Sequence, residues 1–159
     1  MSIAFVFPGQ GAQTIGMGRA LAEAYPAAKA VFDEVDEALG ENLSGLIWDG
    51  DIEALTLTEN AQPALMATSI AAVRALEAEG ISLDRVSYVA GHSLGEYSAL
   101  AAAGAFTISD TARLLRTRGL AMQQAVPVGQ GAMAAILGLD FDTVTDVAEK
   151  AAQGLSLIH

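Results

Sequence analysis

The strongest constraint in this sequence is the stretch from Val86 to Gly104, VSYVAGHSLGEYSALAAAG. Val86–Ala90 is short, apolar and β-rich, and predicts a buried strand. Leu94–Ala103 keeps small and apolar residues through about three helical turns, and Gly104 stands where such a helix stops. Between them Gly91-His92-Ser93-Leu94-Gly95 fits G-x-S-x-G. On a strand-to-helix turn this pattern makes a nucleophile elbow: the flanking glycines let the backbone close around Ser93 and leave its Oγ exposed. The Leu94 N–H, at the N-terminus of the new helix, then faces a developing oxyanion. The plain alternative is a serine capping an ordinary βα turn.

A second glycine-rich stretch, FPGQGAQTIGMG at 7–18, follows the apolar β-type run Ile3–Phe7. Open α/β sheets place ligands just beyond their strand ends. A phosphate cradle is one reading. Gly9-Gln10-Gly11 supplies its first glycines, but Gln13-Thr14 fill the next places and no lysine follows. The preferred reading is a backbone donor loop in which the Gln10 N–H, held between two glycines, faces the same pocket as Ser93. A tight βα connection without a ligand is the third.

Helices are expected over Met17–Tyr25 and Ala27–Leu39, parted at Pro26 and stopped at Gly40. Asp33, Glu34, Asp36 and Glu37 read as the solvated face of the second. Leu43–Leu57 is mixed, with a short helix around Trp48, which reads as a core anchor. A long helix enters at Thr58–Pro63, with Pro63 in its first turn, and runs to about Glu79, where Gly80 ends it. Leu65, Ser69, Ala72, Val73 and Leu76 are its expected buried stripe. Gln62 either reaches a pocket or serves as a cap partner.

A further helix begins at Ser109 or Asp110. Thr111, Leu114/Leu115, Arg118 and Met122 share one face, so Arg118 lies on the apolar side, while Arg113 and Arg116 point to solvent or a partner. An arginine on a buried stripe needs an anion or a carbonyl-rich site unless it snorkels to the rim. Its planar fork suits a carboxylate, which points to an acidic acyl group. Pro127–Gly131 marks a boundary. Beyond it a strand is expected at Ala132–Leu137, a helix at Asp142–Ala152 stopped by Gly154, and another strand at Leu155–Ile158.

Composition narrows the classes. Hydrophobic residues make up 52% of the 159 and charged residues 17%, so a sizeable core is expected. The net charge is −11 with only eight Lys and Arg, which argues against nucleic acid. No apolar run is long enough to span a bilayer, and the start, MSIAFVFPGQG, reads as a first strand and not a signal peptide. There are no cysteines and two histidines, so no metal site is expected and a cytoplasmic location fits best.

Three stretches, FPGQGAQ at 7–13, GHSLGEYSAL at 91–100 and RTRGLAMQQAVPVGQGAM at 116–133, together closely resemble the malonyl-CoA:acyl carrier protein transacylases of fatty-acid synthesis and the related acyltransferase domains of polyketide synthases. The resemblance runs from residue 3 to about 153, and the start at Met1 favours the discrete bacterial enzyme. It implies an α/β fold: an α/β-hydrolase-like large subdomain, partial here at 1–126, and the incomplete start of an inserted ferredoxin-like small subdomain at 127–159. It also implies Ser93 as the nucleophile that carries the acyl group, with the Gln10 and Leu94 N–H groups as the oxyanion hole. Arg118 matches the residue that grips the malonyl carboxylate, and His92 and Met122 line the pocket. The partners implied are acyl carrier protein and a coenzyme A thioester, with no cofactor or metal.

The family's general base is a histidine beyond the small subdomain, in a region this sequence lacks. Here the histidines are His92, beside Ser93, and His159, the last residue. Loss of the base is expected to cost several orders of magnitude in rate. Helices built to cover missing strands are expected to expose apolar faces and promote self-association. Two other readings stay open: a serine esterase or thioesterase, which has no need of Arg118, and a non-catalytic fragment that binds CoA or a partner.

Overall fold

The computed structural model describes residues 3–125 and 137–152. The chain divides into two compact units, Met1–Pro127 and Val128–His159. In the first, strand β1 (Ile3–Phe7) leads through five helices, α1 (Arg19–Ala24), α2 (Pro26–Leu39), α3 (Leu43–Asp49), α4 (Ile52–Thr56) and α5 (Thr58–Ala78), to strand β2 (Val86–Gly91). Helices α6 (Leu94–Ala102) and α7 (Ile108–Ala125) follow. The fold is α/β, mostly helical with a small sheet.

β1 and β2 pair in parallel, with Phe5 opposite Val89 and Phe7 opposite Gly91. Their C-terminal ends therefore lie side by side, which sets the Gly9–Gly18 loop beside the elbow. One face of the pair packs Phe5, Phe7 and Val89 against Val73 and Ala99 of α5 and α6. On the other face Val6 is 76% and Tyr88 71% exposed. The expectation of a buried strand at Val86–Ala90 is thus corrected. Parallel strands are normally covered on both faces, and among the described residues only one face of this sheet has a cover.

The main core lies among the helices. α2 buries Ala28, Val31, Phe32 and Val35, a helical stripe that meets Ile47, Met66, Ile70 and Leu115. Trp48 stands edge-on to Phe32, ring centroids 5.1 Å apart, the anchor its sequence position suggests. Two of the four acidic residues expected on a solvated face are instead internal ties. Asp36 accepts from the Ser44 N–H at 2.9 Å and its hydroxyl at 2.5 Å. Glu34 accepts from the Ser109 N–H and hydroxyl at 3.1 and 2.7 Å, fixing the start of α7.

α5 departs most from expectation. Pro63 lies in its second turn because the helix begins at Thr58. Residues 61–67 are buried without interruption, because small alanines let neighbours approach from several sides. Of the expected buried stripe, Leu65 and Val73 are buried, but Leu76 is 37% exposed. That stripe lines an apolar groove of about 420 Å³ whose other wall is Ala4–Pro8 of β1 and its exit.

In the second unit the described structure is helix α8 (Phe141–Ala152), one residue longer at its start than expected. Asp140 precedes it and accepts from the Thr143 N–H at 2.9 Å and hydroxyl at 2.8 Å, which holds its carboxyl below the usual carboxylate range. The expected strand at Leu155–Ile158, His159, and all but the last residue of the expected strand at Ala132–Leu137 lie outside the described residues. No helix among the described residues is long and apolar enough to cross a membrane.

Candidate active site

Ser93 sits between β2 and α6 with φ 55° and ψ −111°, the one non-glycine residue at positive φ among those described. A side chain held there is strained, and such strain persists only where its surroundings enforce it. The enforcement is visible at the two glycines. A Cβ on Gly91 would run into the Gly95 backbone, and one on Gly95 would run into the carbonyl oxygens of Phe7 and Pro8. Strand exit and helix entry are therefore pressed together, and the residue between them is turned outward. Ser93 is exposed and makes no capping bond to α6, so it is not a plain βα cap.

The glycine loop is held against this elbow. Gly9 lies so close to His92 that a Cβ would strike its ring, and the His92 N–H donates to the Phe7 carbonyl at 3.1 Å. The Gln10 side chain turns away and donates to Thr58 Oγ1 at 3.2 Å. Gln13 closes the loop by accepting from the Gly11 N–H at 2.8 Å. That donor is taken internally, so the loop offers one N–H fewer to a phosphate. Among the described residues no internal acceptor takes the Gln10 or Leu94 N–H.

Arg118 comes from α7. Its Nη2 donates to Ser93 Oγ at 3.0 Å, its Nη1 to Gln62 Oε1 at 2.6 Å, and its guanidinium carbon lies 5.8 Å from the centre of the Tyr97 ring. Met122, one turn on, meets the Gln62 amide through its sulfur at 3.3 Å. Five of the six residues singled out in the sequence, Ser93, Leu94, His92, Gln10 and Arg118, thus lie at or beside the elbow, and Met122 joins them through Gln62. His92 is exposed, and among the described residues the only hydrogen-bond partner of Ser93 Oγ is Arg118.

Of the two arginines expected to face solvent or a partner, one behaves differently. Arg116 is not a free surface cation: it pairs with Glu41 and donates to Asn60 Oδ1 at 2.6 Å, with its side chain 16% exposed. Arg113 does stay at the surface, bonded to the Ala38 carbonyl at 3.2 Å. Sequence reasoning left Gln62 undecided between a pocket and a cap, and left Tyr97 out of the site. The available signal for Gln62 was an amide set inside the apolar run Ala61–Ala67.

A strained serine on a strand-to-helix elbow, beside a glycine loop and under an arginine, defines an acyl-transfer class of site. The acyl transferase domain family matches residues 4–153, and the chain belongs to that family. It is 54% identical over 157 residues to malonyl CoA-acyl carrier protein transacylase of Bacillus subtilis strain 168, covering 99% of this chain and 49% of that protein. Among solved structures, acyl-carrier-protein-S-malonyltransferase of Bartonella henselae superposes with a TM-score of 0.90 at 58% identity, over 96% of this chain and 49% of that one. A malonyl-transacylase solved in complex with its type II PKS acyl-carrier protein superposes with a TM-score of 0.88 at 44% identity, over 97% and 49%. The chain spans about half the length of the curated relatives it matches.

Proposed function

We propose that this chain carries the acylation half-site of a malonyl-CoA:acyl carrier protein transacylase of fatty-acid synthesis. Ser93 Oγ attacks the malonyl thioester carbonyl, a C–O bond forms as the C–S bond breaks, and coenzyme A leaves as its thiol with the serine proton. In the second step the phosphopantetheine thiol of acyl carrier protein attacks the ester, and Ser93 regains its proton. The Gln10 and Leu94 N–H groups stabilise the oxyanion of each tetrahedral intermediate, a task worth about 10²–10³-fold per donor in such sites. The single observation that carries this reading is the Arg118 Nη2 at 3.0 Å from Ser93 Oγ. An acyl group on that oxygen places a carboxylate, one methylene beyond the ester carbonyl, within reach of the guanidinium fork. A neutral-acyl esterase or thioesterase has no use for a cation there.

His92 and Met122 line the acyl pocket, and no cofactor or metal takes part. Residues 1–126 correspond to part of an α/β-hydrolase-like core and 127–159 to the start of a ferredoxin-like subdomain, in a cytoplasmic protein. The general base belongs to the part of the relatives that lies outside this sequence, so acylation by this chain runs about 10²–10⁴-fold below that of a chain with its base. The test is intact mass spectrometry after incubation with malonyl-CoA, beside Ser93→Ala. A malonyl adduct on the parent and none on the variant is the expected result. No adduct on a folded parent overturns the reading.

A further inference from the structure

We infer that Gln62 is the positioning residue that holds the Arg118 guanidinium over Ser93 and thereby tunes the site to acyl groups ending in a carboxylate. This rests on the acyl-transfer reading of the same site.

Gln62 is fully buried, 0% exposed, on α5, and a buried amide must have its polar ends satisfied. Its Oε1 accepts from Arg118 Nη1 at 2.6 Å, and its Nε2 faces the Met122 sulfur at 3.3 Å. The orientation of the amide follows from chemistry: arginine has only donors, so the oxygen must face it, and the weak sulfur acceptor takes the amide N–H. With one Nη held by Gln62 and the other on Ser93 Oγ, the guanidinium plane is set from both sides. Arginine is otherwise a long side chain with about 2 kcal/mol of rotamer entropy to lose.

The helices are built to permit this. A Cβ on Gly119 would meet the Glu59 Cα at 2.6 Å and the Thr58 carbonyl oxygen at 2.7 Å, so α7 crosses the first turn of α5 backbone to backbone. Only such an approach lets a glutamine one turn further along α5 reach the residue just before Gly119. Asn60 and Arg116 bond across the same crossing at 2.6 Å. Arg116 is thus the structural tie of the crossing, and Arg118, bonded to Ser93, is its functional one.

The test compares the parent chain with Gln62→Leu, which keeps volume and removes the acceptor, and Gln62→Glu, which keeps the acceptor but neutralises the arginine. Each is labelled with malonyl-CoA and with acetyl-CoA and weighed intact, and the Arg118 side-chain N–H signals are followed by NMR. The Leu variant is expected to lower the malonyl-to-acetyl labelling ratio about 10-fold, the scale of one hydrogen bond to a charged group, and to turn a resolved, slowly exchanging guanidinium into an averaged one. The Glu variant is expected to keep the guanidinium fixed while still lowering the ratio. Equal loss of both labels, an unchanged ratio, or an Arg118 signal unaltered in the Leu variant overturns the inference. If the parent takes neither label, the acylation reading fails by itself. The guanidinium signals then decide alone whether Gln62 holds Arg118.

Discussion

The helical layer and the two-stranded sheet of the first unit are finished to different degrees. Among α2, α3, α5 and α7 the interior is closed: Phe32, Ile47, Met66, Ile70 and Leu115 are all essentially inaccessible. The sheet is packed on one face and turns Val6 and Tyr88 outward on the other. A two-stranded sheet is not stable by itself, so the strands are held in place by α5 and α6 and not by their own pairing. The site straddles this divide. Ser93 comes from the end of the sheet, while Arg118 and Gln62 come from the finished helical layer. The part of the site proposed to select the acyl group is therefore the rigid part. Ser93, the proposed nucleophile, rests on the element with the least support among the described residues.

Four substitutions sharpen that contrast, followed by urea unfolding. Phe32→Ala empties a site against Trp48 in the helical layer, and a loss of about 3–5 kcal/mol is expected; a loss below about 1 kcal/mol would mean the layer is not the tight core described. Gly119→Ala forces α7 away from the α5 backbone, with an expected loss of about 1–3 kcal/mol, and it should weaken malonyl labelling because Gln62 and Arg118 part with the helices. Ser93→Gly goes the other way. It removes the side chain from a positive-φ position, so a gain of about 1 kcal/mol is expected together with complete loss of the acyl adduct. The smallest change is expected from Tyr88→Thr on the open face, within about 0.5 kcal/mol. Its readout is light scattering, where self-association through the uncovered sheet should fall. A large loss of stability from Tyr88→Thr would show that the face is already covered.

What could be read in the sequence follows the same divide between local and distant causes. The elbow was legible because its signals are adjacent: a β-rich run, a glycine on each side of the serine, and a run of small helical residues all lie within Val86–Gly104. Arg118 was legible because its place relative to Thr111, Leu115 and Met122 is fixed by helical geometry alone. Gln62 was legible only as a choice between pocket and cap, because its partner lies 56 residues away on another helix, and the crossing that joins them depends on Gly119. Arg116 misled for the same reason: its charge is absorbed by Glu41 and Asn60 from elements that sequence spacing does not bring near. The α5 stripe held only in part, for a different reason. An alanine-rich helix has little contrast between its faces, so the larger side chains mark the groove beside β1 as readily as the core. The burial expected for Val86–Ala90 assumed a second covering layer that no described residue provides.

Trp48 is the only tryptophan in the chain, and it stands against Phe32, inside the helical layer and away from the strands. Its emission is therefore a spectroscopic window on one half of the unit. Denaturation followed by indole fluorescence reports the melting of the helices and is blind to fraying of the strands that carry Ser93. A chain can thus look intact by its intrinsic fluorescence while Ser93 has already lost the geometry that exposes it. Only a probe placed on β2 would register that loss.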